Sequence, residues 1–140
     1  MISPLEIEIV LKLLLAAGLG LVVGYEREVH RKPAGLRTHS LVCLGSTLFT
    51  IVSLSIVGSG VDVSRIAAGV VVGIGFLGAG MIFKSDDNVR GLTTAAELWV
   101  LAAIGLAIGI GYYFVAIVGA IIVLVVMIPL KHLSKNARGF

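Results

Sequence analysis

The side chains best able to do chemistry in this 140-residue chain cluster in sequence around two helix starts and one helix end. Glu97 stands about six residues into an apolar run, roughly 9 Å along a helix at 1.5 Å per residue. A carboxylate at that depth is costly unless it is paired, protonated or metal-bound. Thr94 at i−3 and Thr93 at i−4 share its helical face and can donate hydroxyl hydrogen bonds. Arg27, Arg37 and Arg90 all start from one side of the membrane and are its candidate cationic partners, with Glu26 beside Arg27. Two carboxylates and three guanidiniums can converge without leaving a bare buried charge, and the guanidinium fork suits a carboxylate bidentately. The expected site is therefore a network of Glu26, Arg27, Arg37, Arg90 and Glu97, supported by Thr38, Thr93 and Thr94. It serves either as a structural fastening or as a proton, cation or ligand site.

Other residues carry weaker chemistry. Lys12 lies in the first apolar run, but Glu8 four residues before it is the favourable order for a local helix pair. Asp86-Asp87-Asn88 offers oxygen ligands of the kind Mg²⁺ prefers, but a solvated turn is the better reading of it. His30 and His39 flank Pro33-Ala34-Gly35 and can sense pH, without metal-ligand spacing. The single Cys43 excludes an internal disulfide and a cysteine zinc site, and reads as a small buried hydrophobe. No serine-histidine-acid set, nucleotide loop or metalloprotease motif occurs, so the reading is non-enzymatic and without cofactor; the metal question stays open.

The elements that position these residues must be membrane helices. Of the chain, 58% is hydrophobic and only 14% charged, against about 25% charged in a soluble domain, and the mean hydropathy is +1.09. That composition cannot cover a soluble exterior, and it leaves no basic face in water for nucleic acid. Five spans fit, at residues 5–24, 36–57, 66–83, 92–110 and 114–130. Each approaches the roughly 20 residues that a bilayer core requires. The fold class is thus an all-α integral membrane protein, one transmembrane domain over residues 1–140. The first ten residues contain two glutamates and no Lys or Arg, so the first span reads as retained rather than as a signal peptide. Nine Lys and Arg fall on one side of these spans and Arg65 alone on the other, which predicts a cytoplasmic C-terminus and an external N-terminus.

Gly35-Leu36-Arg37-Thr38 and Gly91-Leu92-Thr93-Thr94 open spans 2 and 4 at an offset of 56 residues. Gly24 and Gly80, and Leu21 and Leu77, match at the same offset, which suggests two parallel hairpins plus a fifth helix. Small residues let helix backbones approach closely in lipid. The candidate packing positions are Gly20 and Gly24, Gly69 and Gly73, and Gly105 and Gly109, with Gly75, Gly78 and Gly80 adding to span 3. On this count span 3 is expected at the centre, and the bulky span 5 towards lipid.

Gly20-Leu21-Val22-Val23-Gly24-Tyr25-Glu26-Arg27 and Ala34-Gly35-Leu36-Arg37-Thr38-His39 resemble the opening of the MgtC/SapB membrane family. The resemblance continues in order through residues 73–80, 89–96, Leu98-Trp99 and Ala102-Ala103-Ile104-Gly105, and covers roughly residues 5–130. It implies a five-span prokaryotic cytoplasmic-membrane protein linked to Mg²⁺ homeostasis and growth at low Mg²⁺, in a family associated with virulence. As partners it implies other membrane proteins, such as a P-type pump or the ATP synthase, and self-association as a homodimer is a further expectation. Two features depart from the family pattern. Many relatives continue into a cytosolic ACT-like domain, whereas this sequence ends ten residues after Leu130, and Glu97 stands where small or apolar residues are commoner. Two function classes are open on this basis: a non-enzymatic regulator acting through other membrane proteins, or a small Mg²⁺ or proton-coupled transporter or channel.

Overall fold

A computed structural model describes residues 3–56, 62, 64–85 and 88–128. Five helices carry the fold: α1 (Pro4–Val29), α2 (Leu36–Ser55), α3 (Ser64–Gly80), α4 (Leu92–Gly109) and α5 (Tyr113–Met127). The protein is an all-α membrane protein. Helices α1, α2 and α4 are each long and apolar enough to cross a bilayer, and α3 and α5 are shorter apolar helices. Large apolar side chains such as Phe76, Phe114 and Val72 face outwards, as they do where lipid is the solvent.

The helix ends follow local chemistry. Ser3 caps α1 in a reciprocal capping box with Glu6, and Pro4 fills the first helical position. Helix α1 runs five residues beyond the expected end of span 1, because Glu26 and Arg27 are buried and internally partnered instead of marking a solvated exit. Asp62 accepts hydrogen bonds from the Ser64 hydroxyl at 2.6 Å and its amide at 2.9 Å, and these hold its carboxyl below the ordinary value. The Gly111 turn, in left-handed backbone, sends the chain from α4 into α5.

Residues expected as the end of span 3 and a loop form strands instead. β1 (Phe83–Ser85) pairs antiparallel with β2 (Asn88–Arg90), with Phe83 opposite Arg90, so α3 ends at Gly80. The Asp86-Asp87 pair read as an Mg²⁺ candidate lies outside the described residues. Gly91 joins the hairpin to α4 at φ 89°, and a Cβ there would also run into the Met81 carbonyl, so both backbone and space demand glycine.

The centre of the bundle is α2 against α1 and α4, which corrects the expectation for span 3. Only Ile74 and Gly78 of α3 are buried, whereas nine residues of α4 are. A Cβ on Gly20 would lie 2.6 Å from Ser40 Cα, and one on Gly24 would lie 2.9 Å from Leu36 Cα. On α4, Gly105 faces the Cys43 carbonyl and Ser46, and Gly109 faces Thr50. The Thr47 hydroxyl donates across this seam to the Gly105 carbonyl at 2.8 Å. By contrast, Cβ atoms on Gly69, Gly73, Gly75 and Gly80 would meet nothing, and one on Gly78 would make only ordinary contact with Ala95. The number of glycines in span 3 reflects unfilled surface, not the most intimate packing. Helix α5 buries only Ala116 and Ala120.

Cys43 is fully buried in this seam. Maleimide is expected to leave it unmodified in the folded protein in mild detergent and to modify it fully after unfolding, as mass spectrometry of the two samples would show.

Candidate functional site

The buried polar cluster sits at one end of the bundle, where α1 ends and α2 and α4 begin. The short α1–α2 link keeps Arg27 and His39 on adjoining turns, and the Gly24 approach brings the two helices close enough to enclose them. Arg27 Nε lies 2.8 Å from Glu97 Oε2, with both side chains almost wholly buried. The contact is too bent for an aligned hydrogen bond and is an ion pair by proximity. Arg27 Nη2 donates to the Thr94 hydroxyl at 3.2 Å, and Nη1 stands 3.4 Å from Glu26 Oε2. One guanidinium therefore ties the end of α1 to the first turns of α4.

Two histidines complete the surroundings. His39, with no exposed surface, places Nε2 3.6 Å from Glu97 Oε1 and Nδ1 2.9 Å from the Gly35 carbonyl. His30 Nδ1 stands 2.9 Å from Glu26 Oε1, with its ring partly exposed. Both Glu97 oxygens and Glu26 Oε1 lack an aligned hydrogen-bond donor. Among the described residues no group of three or more His, Cys, Asp or Glu side chains is arranged to hold a metal ion. Chemically, the arrangement can fasten α1 to α4, with His39 of α2 beside Glu97 but too far away for a hydrogen bond.

Of the eight residues expected in the network, the structure brings together Glu26, Arg27, Thr94 and Glu97. Arg37, Thr38, Arg90 and Thr93 are exposed and lie apart from it. The reason is helical phase. Arg37 precedes His39 by two residues, about 200° around α2 at 3.6 residues per turn, and so faces away from the buried stripe. Thr93 stands about 100° from the centre of the buried face of α4, and Arg90 is on β2 rather than on the helix. His39 is the member of the cluster that the sequence alone does not assign to it. It begins the line His39, Cys43, Ser46–Thr47 and Thr50 at helical spacing, all buried, and this small-polar stripe is the signal that could have found it.

At the other end of the bundle, Lys12 forms the expected pair with Glu8 at 2.9 Å. It also donates to the Gly109 carbonyl at 3.1 Å, capping the negative end of the α4 dipole. Tyr113 donates to Glu8 at 3.3 Å, which joins α5 to the same group.

These features define a multi-pass helical membrane protein with a buried ion-pair cluster near one face. Residues 13–136 match the MgtC family model, and the chain belongs to that family. It is similar to YhiD of Escherichia coli strain K12, with 49% identity over 92% of this chain and 66% of that protein. Protein MgtC of Brucella abortus shows 45% identity over 84% of this chain and 49% of the relative. Protein MgtC of Salmonella typhimurium shows 44% identity over 91% and 54%. The chain thus spans about half to two thirds of the length of these relatives. No solved structure matches it.

Proposed function

We propose that the protein is a non-enzymatic regulator of Mg²⁺ homeostasis in a prokaryotic cytoplasmic membrane, needed for growth at low Mg²⁺. It acts through contacts with other membrane proteins, such as a P-type pump or the ATP synthase, and through self-association. The nine-to-one distribution of Lys and Arg supports an external N-terminus and a cytoplasmic C-terminus. The link to magnesium is supported by family membership and by YhiD, whose name proposes magnesium transport for that protein. The observation that carries the regulator reading is the commitment of Glu97 to Arg27 within the chain, 2.8 Å away and shut from solvent. A carboxylate used to fasten α1 to α4 is not free to pass an ion along.

A second reading, a small ion carrier, draws on the charge count. Two buried carboxylates face one guanidinium, and three carboxylate oxygens lack an aligned donor. A proton or cation entering the cluster would correct that imbalance. The two readings separate with Glu97→Gln. Under regulation, purified protein in liposomes carries no Mg²⁺ or proton down a gradient, and the variant still supports growth at low Mg²⁺. Flux by the unaltered protein that Glu97→Gln abolishes without lowering the melting temperature would reverse the assignment.

A further inference from the structure

A groove of about 900 Å³ opens between α2 and α3, away from the buried cluster. Its walls are apolar: Val42 and Phe49 on one side, Ile74 and Leu77 on the other. Gly45, Gly69 and Gly73 also line it, and a Cβ on any of them would meet nothing, so the groove is deepened by side chains that are missing. Helix α3 makes its apolar seat mainly on α4, where Ile74 joins Leu98 and Ala102, and this leaves its other side parted from α2. Arg37 and Thr38 stand at one mouth and Arg65 at the other. Neither arginine has an ion-pair partner among the described residues.

We propose that this groove retains one anionic phospholipid, with its phosphate on Arg37 and Thr38 and its acyl chains between α2 and α3. The dimensions fit such an amphiphile. From Arg37 to Phe49 is twelve residues, about 18 Å of helix, close to half of a hydrocarbon core roughly 30 Å thick. The polarity fits as well. A guanidinium with no ion-pair partner among the described residues, beside a hydroxyl, recognises phosphate oxygens. Beyond that mouth the groove is walled mainly by apolar side chains, with Ser46 among them. Arg65 lines the far end, and its long stem would let the charge reach the opposite interface. Within the chain, α5, the most apolar helix, offers no acidic group to meet Arg37. The bound lipid would fill the gap that the span-3 glycines leave. The proposal rests on the groove and its arginines, and is independent of the regulator reading.

The test is native mass spectrometry of protein released from vesicles of phosphatidylcholine and phosphatidylglycerol, at equal protein loading. One phosphatidylglycerol is expected to stay bound to each chain after bulk lipid is stripped. Arg37→Gln is expected to lower the preference for the anionic lipid about fivefold, the factor matching roughly 1 kcal/mol per basic residue at a membrane surface. Gly73→Leu, which fills the groove, is expected to abolish retention without lowering the melting temperature. Arg90→Gln, an equal loss of charge outside the groove, is expected to change nothing. Because Arg37 is exposed, its variant stays informative even if Gly73→Leu fails to fold. The proposal is overturned if no lipid is retained, or if Arg37→Gln and Arg90→Gln retain it equally. It is also overturned if Gly73→Leu abolishes a lipid-free dimer instead.

Discussion

Replacing Arg27 with methionine is expected to be among the most damaging single changes in the bundle, costing about 3–5 kcal/mol, the range for removing one partner of a buried ion pair. The side chain is 3% exposed and touches three groups on two helices: Glu97 at 2.8 Å, the Thr94 hydroxyl at 3.2 Å and Glu26 at 3.4 Å. Methionine preserves the apolar length and removes the charge, leaving Glu97 with only His39 nearby at 3.6 Å. Glu97→Gln alone should cost less, because Glu26 still stands 3.4 Å from the buried guanidinium and an amide needs no counter-charge of its own. Combining the two changes should recover part of the Arg27→Met loss, and that non-additivity is the signature of a direct pair. Thermal unfolding of the four proteins in one detergent gives the cycle. Purely additive losses, or an unchanged melting temperature for Arg27→Met, would remove the ion pair from any account of stability.

The same cluster shows what could be read from the chain before its fold. That Glu97 needs a cation follows from its depth in an apolar run, and so does the list of arginines able to reach it. Which arginine does so depends on where α1 stops. With span 1 ending at residue 24, Arg27, Arg37 and Arg90 look equivalent at one interface. With α1 continuing to Val29, Arg27 is on a helix, in phase with Val23 and Gly24, and reaches Glu97 first. The position of a helix end is decided by partners distant in sequence, and no local pattern carries that information. His39 escapes for a related reason. Its value lies in the stripe it begins on α2, which is small and polar rather than apolar, so periodicity of hydrophobic residues passes over it.

Helix number and approximate limits are legible because apolar length is a local property. The strands at 83–85 and 88–90 are not, since three-residue strands beside charged residues carry too little alternation to distinguish them from a loop. Packing order is misread when glycines are only counted. Their number favours span 3, yet a glycine marks close approach only where a neighbouring backbone occupies the space it leaves. Gly20, Gly24, Gly105 and Gly109 have close neighbours across a helix seam, and most of the α3 glycines have none.

That distinction predicts opposite results for one chemical change. Gly105→Leu should prevent assembly of the bundle. Even its Cβ would collide with the Cys43 carbonyl and come 2.8 Å from Ser46 Cβ, and the remainder of the side chain would force α2 from α4. The separation would also break the Thr47 hydrogen bond to the Gly105 carbonyl and expose the buried Ser46 and Thr50 to lipid. Overpacking a tight core costs about 1–3 kcal/mol where neighbours can shift. Here the nearest atom is backbone of a central helix, so the loss should reach or exceed the top of that range. Gly73→Leu adds the same atoms where nothing lies within 4 Å and should alter stability by less than about 0.5 kcal/mol, as a substitution away from any special contact does. Yield of monodisperse protein and melting temperature, measured side by side, check both expectations. Equal loss in the two variants would mean that α3 packs as tightly as α4, and equal tolerance would mean that the α2–α4 seam can open without cost.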